Sequence, residues 1–284
     1  MLRLVGGRSN RTPRRVVTFH DVTFLILPER YPRVRRLYME AVTRIATLAA
    51  DAIITPSQAV RDDVIRKLGV RGDRIIAIPE AAGPQFAPVE GDALVRMLAK
   101  YHLNRRYILS VGSLEPGKNR GRLISAYAML RGDGIDCPLV VVGQPAWHYQ
   151  PDFELVRRLG LERDVQFLGY VPDDDLPALY SGAALLAFPS LYEGFGLPVL
   201  EAMACGTPVL TSSVSAPPEI AGDAAFLVDP NDVQELRAGL GKLLSDEALR
   251  SDLRARGFVR AGQFTWRRTA RETLSVYGLL AAEA

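Results

Sequence analysis

The chain has 284 residues, of which 48% are hydrophobic, enough for one large core or two smaller ones. Its formal net charge of +3 is small for this length and acids and bases are mixed along most of it, which excludes a broad field favouring nucleic acid. Cys137 and Cys205 lie far apart and belong to no metal-ligand spacing, so a reducing, cytoplasmic compartment is expected. The opening "MLRLVGGRSNRTPRR" is charged with no apolar region behind it, and no window approaches the roughly 18 uninterrupted apolar residues of a membrane span.

From Met1 to Arg36 the arginines at 3, 8, 11, 14, 15, 30, 33, 35 and 36 face only Asp21 and Glu29. This basic arm reads either as a solvated terminus or as a peripheral docking surface for an anionic membrane or a phosphorylated acceptor. "RRVVTFHDVTF" predicts a strand and a loop, "RVRRLYMEAVTRIATLAADAIITPSQAVRDDVIRKLG" a helix, a strand and a second helix, and "RIIAIPEAAGPQFAP" a strand running into a linker. That is about half of a doubly wound domain, spanning residues 1–88. The Gly, Pro and polar residues of "AAGPQFAPVEGD" mark its boundary.

Beyond Tyr107 the apolar runs "YILSVGS", "PLVVVG", "VQFLGY", "ALLAFPS", "PVLTSS" and "AAFLVD" alternate with amphipathic stretches, the pattern of a parallel sheet wrapped by helices. Residues 89–265 form this larger domain, and residues 266–284 a final helix expected to pack back toward the first. Ligands of such folds sit at the carboxyl ends of the strands. The site should therefore be built from the loops "GSLEPGKN", "GQPAWHY", "GYVPDDD" and "PSLYEGFG".

The stretch "SLYEGFGLPVLEAMACGTPVL" carries the strongest chemistry. Gly194 and Gly196 permit a tight turn, Pro198 suits a first helical turn, and Gly206 can end the helix. The amides of Gly194, Phe195, Gly196 and Leu197 then make an anion site, reinforced by about half a positive charge from the helix dipole. Glu193 and Glu201 border that site as hydroxyl acceptors, unless the first makes a surface pair and the second merely faces solvent. A nucleotide sugar, with hydroxyls at both ends and a diphosphate between, has the matching character.

This stretch resembles the E-x7-E motif of retaining, nucleotide-sugar-dependent glycosyltransferases of family 4. The likeness continues through "VVTFHD", "SVGSLEPGKN", "VVVGQPAW", "VQFLGYVPDDDLPALYSGA" and "VDPNDVQEL". It implies the α/β GT-B fold, with a complete C-terminal Rossmann-like domain and an incomplete N-terminal one that starts roughly halfway through. By the resemblance Glu193 contacts the transferred sugar, Glu201 the ribose diol, and Lys118 the diphosphate as a point charge. The departing nucleoside diphosphate gains negative charge, which Lys118 and the helix start would offset. His20 either reaches the sugar or diphosphate from the other domain or is a satisfied histidine at a strand end. Gly143, Tyr170 and Val171 would frame the base, chiefly through their backbones, or simply end strands.

The acids Asp173 to Asp175 tempt a metal reading but are better explained as a helix cap and first-turn charges; the resemblance calls for no metal and no cofactor beyond the donor. Family members often carry a basic residue where this chain has Ser113 or Gly117, so the diphosphate lacks one charge unless Arg120 or Arg122 compensates. The expected partners are a nucleotide sugar, with mannose a reasonable donor, and a glycan or lipid-linked acceptor, in the assembly of a cell-surface polysaccharide. The rivals are a non-catalytic remnant that binds nucleotide sugar and a nucleotide-sugar epimerase. A dehydrogenase is disfavoured, because no strand is followed by GxGxxG.

Overall fold

The computed structural model describes residues 14–103 and 106–282. Its strands are short apolar runs covered on both faces, which is why they pair in parallel. β1 (Val16–Thr18) leads into a one-turn helix α1 (Thr23–Ile26), a 3₁₀ turn at Pro28–Arg30 and the long α2 (Arg33–Ala49). β2 (Ala52–Thr55), α3 (Gln58–Leu68) and β3 (Ile75–Ala77) follow. The three strands form a parallel sheet in the order β1-β2-β3, with Ile53 opposite both Val17 and Ile75. α1 replaces part of the loop expected after "VVTF", since four residues are too few to show a helical period. In α3 the Ser57 hydroxyl accepts from the Val60 amide at 3.2 Å, and Gly69, at φ +68°, closes the other end.

α4 (Gly91–Lys100) opens the larger unit, which then alternates strictly. β4 (Ile108–Val111), α5 (Arg120–Gly132), β5 (Leu139–Val142), α6 (Gln150–Arg158) and β6 (Val165–Gly169) make one half. α7 (Leu176–Gly182), β7 (Leu185–Phe188), α8 (Leu197–Ala204), β8 (Val209–Ser212), α9 (Pro217–Ala221) and β9 (Phe226–Val228) make the other. All six strands are parallel, in the order β6-β5-β4-β7-β8-β9. The winding reverses between β4 and β7, and the loops leaving those two strands therefore diverge and open a crevice at the switch point. Leu109, Val140 and Leu186 feed the core on one face of the sheet, and Ile108, Leu139 and Leu185 the core on the other.

α10 (Val233–Ser245) packs against α5, α11 (Glu247–Ala261) packs against α8, and α12 (Trp266–Ala282) returns to the smaller sheet. There Val276 and Leu280 pack with Ile54, Ile76 and Ile78, and the Thr269 hydroxyl donates to the Pro79 carbonyl at 2.6 Å. Asp175 stands at the start of α7 without making a cap bond. Its buried carboxylate accepts from Lys100 Nζ at 2.6 Å and from the Tyr101 hydroxyl, pinning α4 to α7. The expected cap gives way because a buried carboxylate gains more from charged and hydroxyl donors than from one amide. Of the basic arm, Arg3, Arg8 and Arg11 lie outside the described residues, while Arg14 pairs with Asp51 at 2.8 Å. Among the described residues no helix is long and apolar enough to cross a membrane.

Candidate functional site

The switch point brings two loops together. After β4, Gly112 and a 3₁₀ turn at Pro116–Lys118 carry Lys118; after β7, the turn before α8 carries Glu193. Lys118 Nζ lies 2.6 Å from Glu193 Oε1 and 5.4 Å from the centroid of the Phe188 ring. The two side chains are only 18% and 14% exposed, so this pair is little screened by solvent. Gly112, at φ +132°, leaves room for the lysine stem: a Cβ there would stand 3.2 Å from Lys118 Cε. The Glu193 backbone is clasped by Ser215, whose Oγ accepts from the Glu193 amide at 3.2 Å and donates to its carbonyl at 2.7 Å. Asn119 Nδ2 donates to the Pro189 carbonyl at 3.0 Å and so ties one loop to the other.

α8 begins at Leu197 with Pro198 in its first turn, after Gly196 at φ +109°. The ring of Phe195 is buried and meets Phe264 edge-on at 6.0 Å, so only its backbone is available to the site. Glu201 has a separate environment from Glu193. The fully buried Tyr180 donates its hydroxyl to Glu201 Oε2 at 2.7 Å. Burial first, and then the charge of Asp173, push the Glu201 carboxyl up to about 7 against the opposing effect of Tyr180.

Gly143 follows β5 at φ +149°, and a Cβ there would fall 1.8 Å from the Gly112 carbonyl oxygen. Its amide donates to Gly169 at 2.8 Å, so the ends of β4, β5 and β6 converge. Tyr170 then projects its side chain outward, 64% exposed, while Val171 turns into the core. His20 lies two residues past the end of β1, with its ring 72% exposed and its Nδ1 2.8 Å from Glu80 Oε1. Its backbone is what meets the larger domain: a Cβ on Gly194 would sit 2.0 Å from the His20 carbonyl oxygen.

Arg120 is turned onto carbonyls and is not placed to supply the extra loop charge. Arg120 is fully buried and donates to the carbonyls of Ser113, at 2.6 Å, and Gly112. Burial lowers its guanidinium to about 10. Arg122 donates to Asn119 Oδ1 at 2.9 Å. Arg120 thus braces the loop, whose carbonyls at Gly112 and Ser113 need donors, while Arg122 holds the Asn119 side chain. The contacts between domains were not visible in the sequence pattern. The Ser57 hydroxyl donates to the Gly194 carbonyl at 2.7 Å, the Tyr192 hydroxyl to Asp63 at 2.9 Å, and the Glu219 carboxylate accepts from the amides of Gln58 and Ala59 at 2.9 and 3.1 Å. A cleft of about 840 Å³ also opens between the domains, lined by Arg30, Tyr31, Arg35, Glu115 and Trp147 among others.

A six-stranded doubly wound sheet, whose switch-point loops face a second parallel sheet, is the architecture of a GT-B glycosyltransferase. Residues 99–260 match the family described as Glycosyl transferases group 1, and residues 2–82 that described as Glycosyltransferase Family 4. O-antigen chain mannosyltransferase B of Escherichia coli is 38% identical over 273 residues, covering 95% of this chain and 72% of that protein. Serotype-specific mannosyltransferase WbdA of Escherichia coli is 38% identical over 267 residues, covering 90% of this chain, which spans only 32% of WbdA. The sucrose-phosphate synthase structure from Thermosynechococcus elongatus superposes with a TM-score of 0.80 at 25% identity, over 95% of this chain and 68% of its own. Anabaena HepE, solved in complex with UDP and glucose, gives 0.81 at 23% identity, over 93% of this chain and 71% of its own. The chain belongs to the group 1 glycosyltransferases.

Proposed function

We propose that the protein transfers a hexose, mannose first among the candidates, from a nucleotide diphosphate sugar to an acceptor hydroxyl with retention at the anomeric carbon. The acceptor is a glycan or lipid-linked glycan of a surface polysaccharide, met in the cytoplasm at the inner face of the membrane. The observation that carries this reading is the shielded Lys118–Glu193 pair at the switch point. A diphosphate entering there competes for Lys118, and Glu193 is then released to accept hydrogen bonds from the sugar hydroxyls. The anomeric carbon to phosphate-oxygen bond breaks, the bond from that carbon to the acceptor oxygen forms on the same face, and the acceptor proton passes to the departing phosphate oxygen. Lys118 and the start of α8 offset the charge gained by the leaving group, so the step needs no metal.

Glu201 accepts from the ribose diol, and Tyr180 holds its other oxygen in place. The backbones at Gly143, Tyr170 and Val171 frame the base, and that of His20 fixes the glutamate turn. The UDP and glucose in the HepE structure, and the mannosyltransferases among the relatives, support this choice of donor. Incubation with a panel of nucleotide sugars and mannose-terminated acceptors, with the product anomer read by NMR, tests it. Lys118→Ala and Glu193→Ala should each reduce transfer by roughly a hundredfold or more while leaving the fold intact. Full turnover in either variant would refute these roles, and donor binding without transfer or hydrolysis by the unmodified chain would favour the non-catalytic remnant.

A further inference from the structure

The loop that carries Lys118 is completed from the other domain. Gly117 has no side chain, and the point where its Cβ would stand lies 2.6 Å from Arg30 Nη1. Arg30 comes from the 3₁₀ turn after α1, and its Nη2 donates to the Pro116 carbonyl at 3.3 Å. Among the described residues no carboxylate lies within ion-pair distance of this guanidinium, although the charges of Glu115 and Glu193 act on it. It also lines the interdomain cleft, so one edge faces open space. Of the nearby loop cations, Arg120 is buried on carbonyls and Arg122 reaches the Asn119 side chain, whereas Arg30 borders the cleft and makes a single bond to the loop. A guanidinium presents its donors in a planar fork that fits two phosphate oxygens at once.

We propose that Arg30 is the second cation of the diphosphate site, delivered by the N-terminal domain into the space left by Gly117. This rests on the nucleotide diphosphate donor proposed above. A leaving nucleoside diphosphate carries more negative charge than Lys118 alone can offset, and Arg30 joins it from the opposite side of the cleft. Donor binding then couples the two domains directly.

The test uses the full chain with Arg30→Gln, Arg30→Lys, and the double variant Arg30→Gln with Gly117→Arg. Melting curves check that each folds, and calorimetry compares nucleoside with nucleoside diphosphate. Arg30→Gln should cut transfer by roughly a hundredfold and weaken the diphosphate while leaving the nucleoside unchanged. Arg30→Lys, which keeps the charge and loses the fork, should fall between. The double variant should recover at least about tenfold, one step of roughly 1.4 kcal/mol, because shortening residue 30 clears the space an arginine at 117 needs. Equal binding of nucleoside diphosphate by the Arg30→Gln and unmodified chains, or no recovery in the double variant, would overturn the proposal and leave the donor reading standing. Failure of the unmodified chain to bind any nucleoside diphosphate would overturn both.

Discussion

Glu201→Gln isolates the carboxylate whose charge the fold most resists. In the unfolded chain this group ionises near 4.5, and in the native protein near 7, chiefly because it is buried. Between those values the folded state holds a proton that the unfolded state has released. Stability therefore falls as pH rises from about 4.5 to 7, and above 7 the penalty stays constant. At roughly 1.4 kcal/mol per pH unit, the interval from 4.5 to about 7 amounts to at most about 3 to 4 kcal/mol. Glutamine cannot ionise, yet its amide oxygen can still accept from Tyr180. The variant should melt with the parent near pH 4.5 and above it at pH 8, by up to roughly 6 °C for a chain of this size. Differential scanning fluorimetry across that range reads the gap directly. Nucleotide affinity should move the other way: in the parent it should rise as the carboxylate ionises to accept ribose hydroxyls, and in the variant it should stay low. Melting temperatures that run parallel at every pH would refute the reasoning.

Three further substitutions probe the scaffold. Gly143→Ala places a Cβ 1.8 Å from the Gly112 carbonyl oxygen; the backbone must shift, with a stability loss of roughly 1–3 kcal/mol and weaker nucleotide binding by calorimetry. Glu219→Ala removes the acceptor of two amides at the start of α3, so about 1–2 kcal/mol should be lost. Hydrogen exchange should quicken at Gln58 and Ala59, with the strands of the larger sheet unchanged. Tyr192→Phe leaves the buried Asp63 with Arg66 as its ion-pair partner, and a loss of about 1–2 kcal/mol is expected in denaturant titration.

Local chemistry was legible where the chain determines its own conformation. The apolar runs marked every strand of the larger sheet, and Gly196, Pro198 and Gly206 delimited α8 because caps and turns depend on residues within a few positions. The grouping of site loops followed from the alternation of strands and helices, since such sheets collect ligands at one end. Long-range partners were not legible. Arg120 reads as a loop cation, yet it is buried, since the carbonyls of Gly112 and Ser113 lack other donors inside the fold. Asp175 reads as a helix cap, yet Lys100 and Tyr101 reach it from 75 and 74 residues away. The side chain of Arg30 lies 86 residues from the carbonyl it meets, and no period or spacing connects such positions.

The clasp around α3 bears on how this protein can be recombined. Gly194 leans on His20 and receives the Ser57 hydroxyl, Tyr192 holds Asp63, and Glu219 caps the helix from the far side of the junction. The turn at Glu193 and the helix of the smaller domain are thus directly bonded, although a linker separates them in sequence. A chimera that exchanges the front half at Ala81–Asp92 replaces α3, Ser57, Asp63 and the His20 loop together, and so strips Gly194, Tyr192 and Glu219 of these partners. Swaps that retain Ser57, Asp63 and the His20 loop with the larger domain should keep the parent's melting temperature, and those cut at the linker should fold with a loosened turn at Glu193.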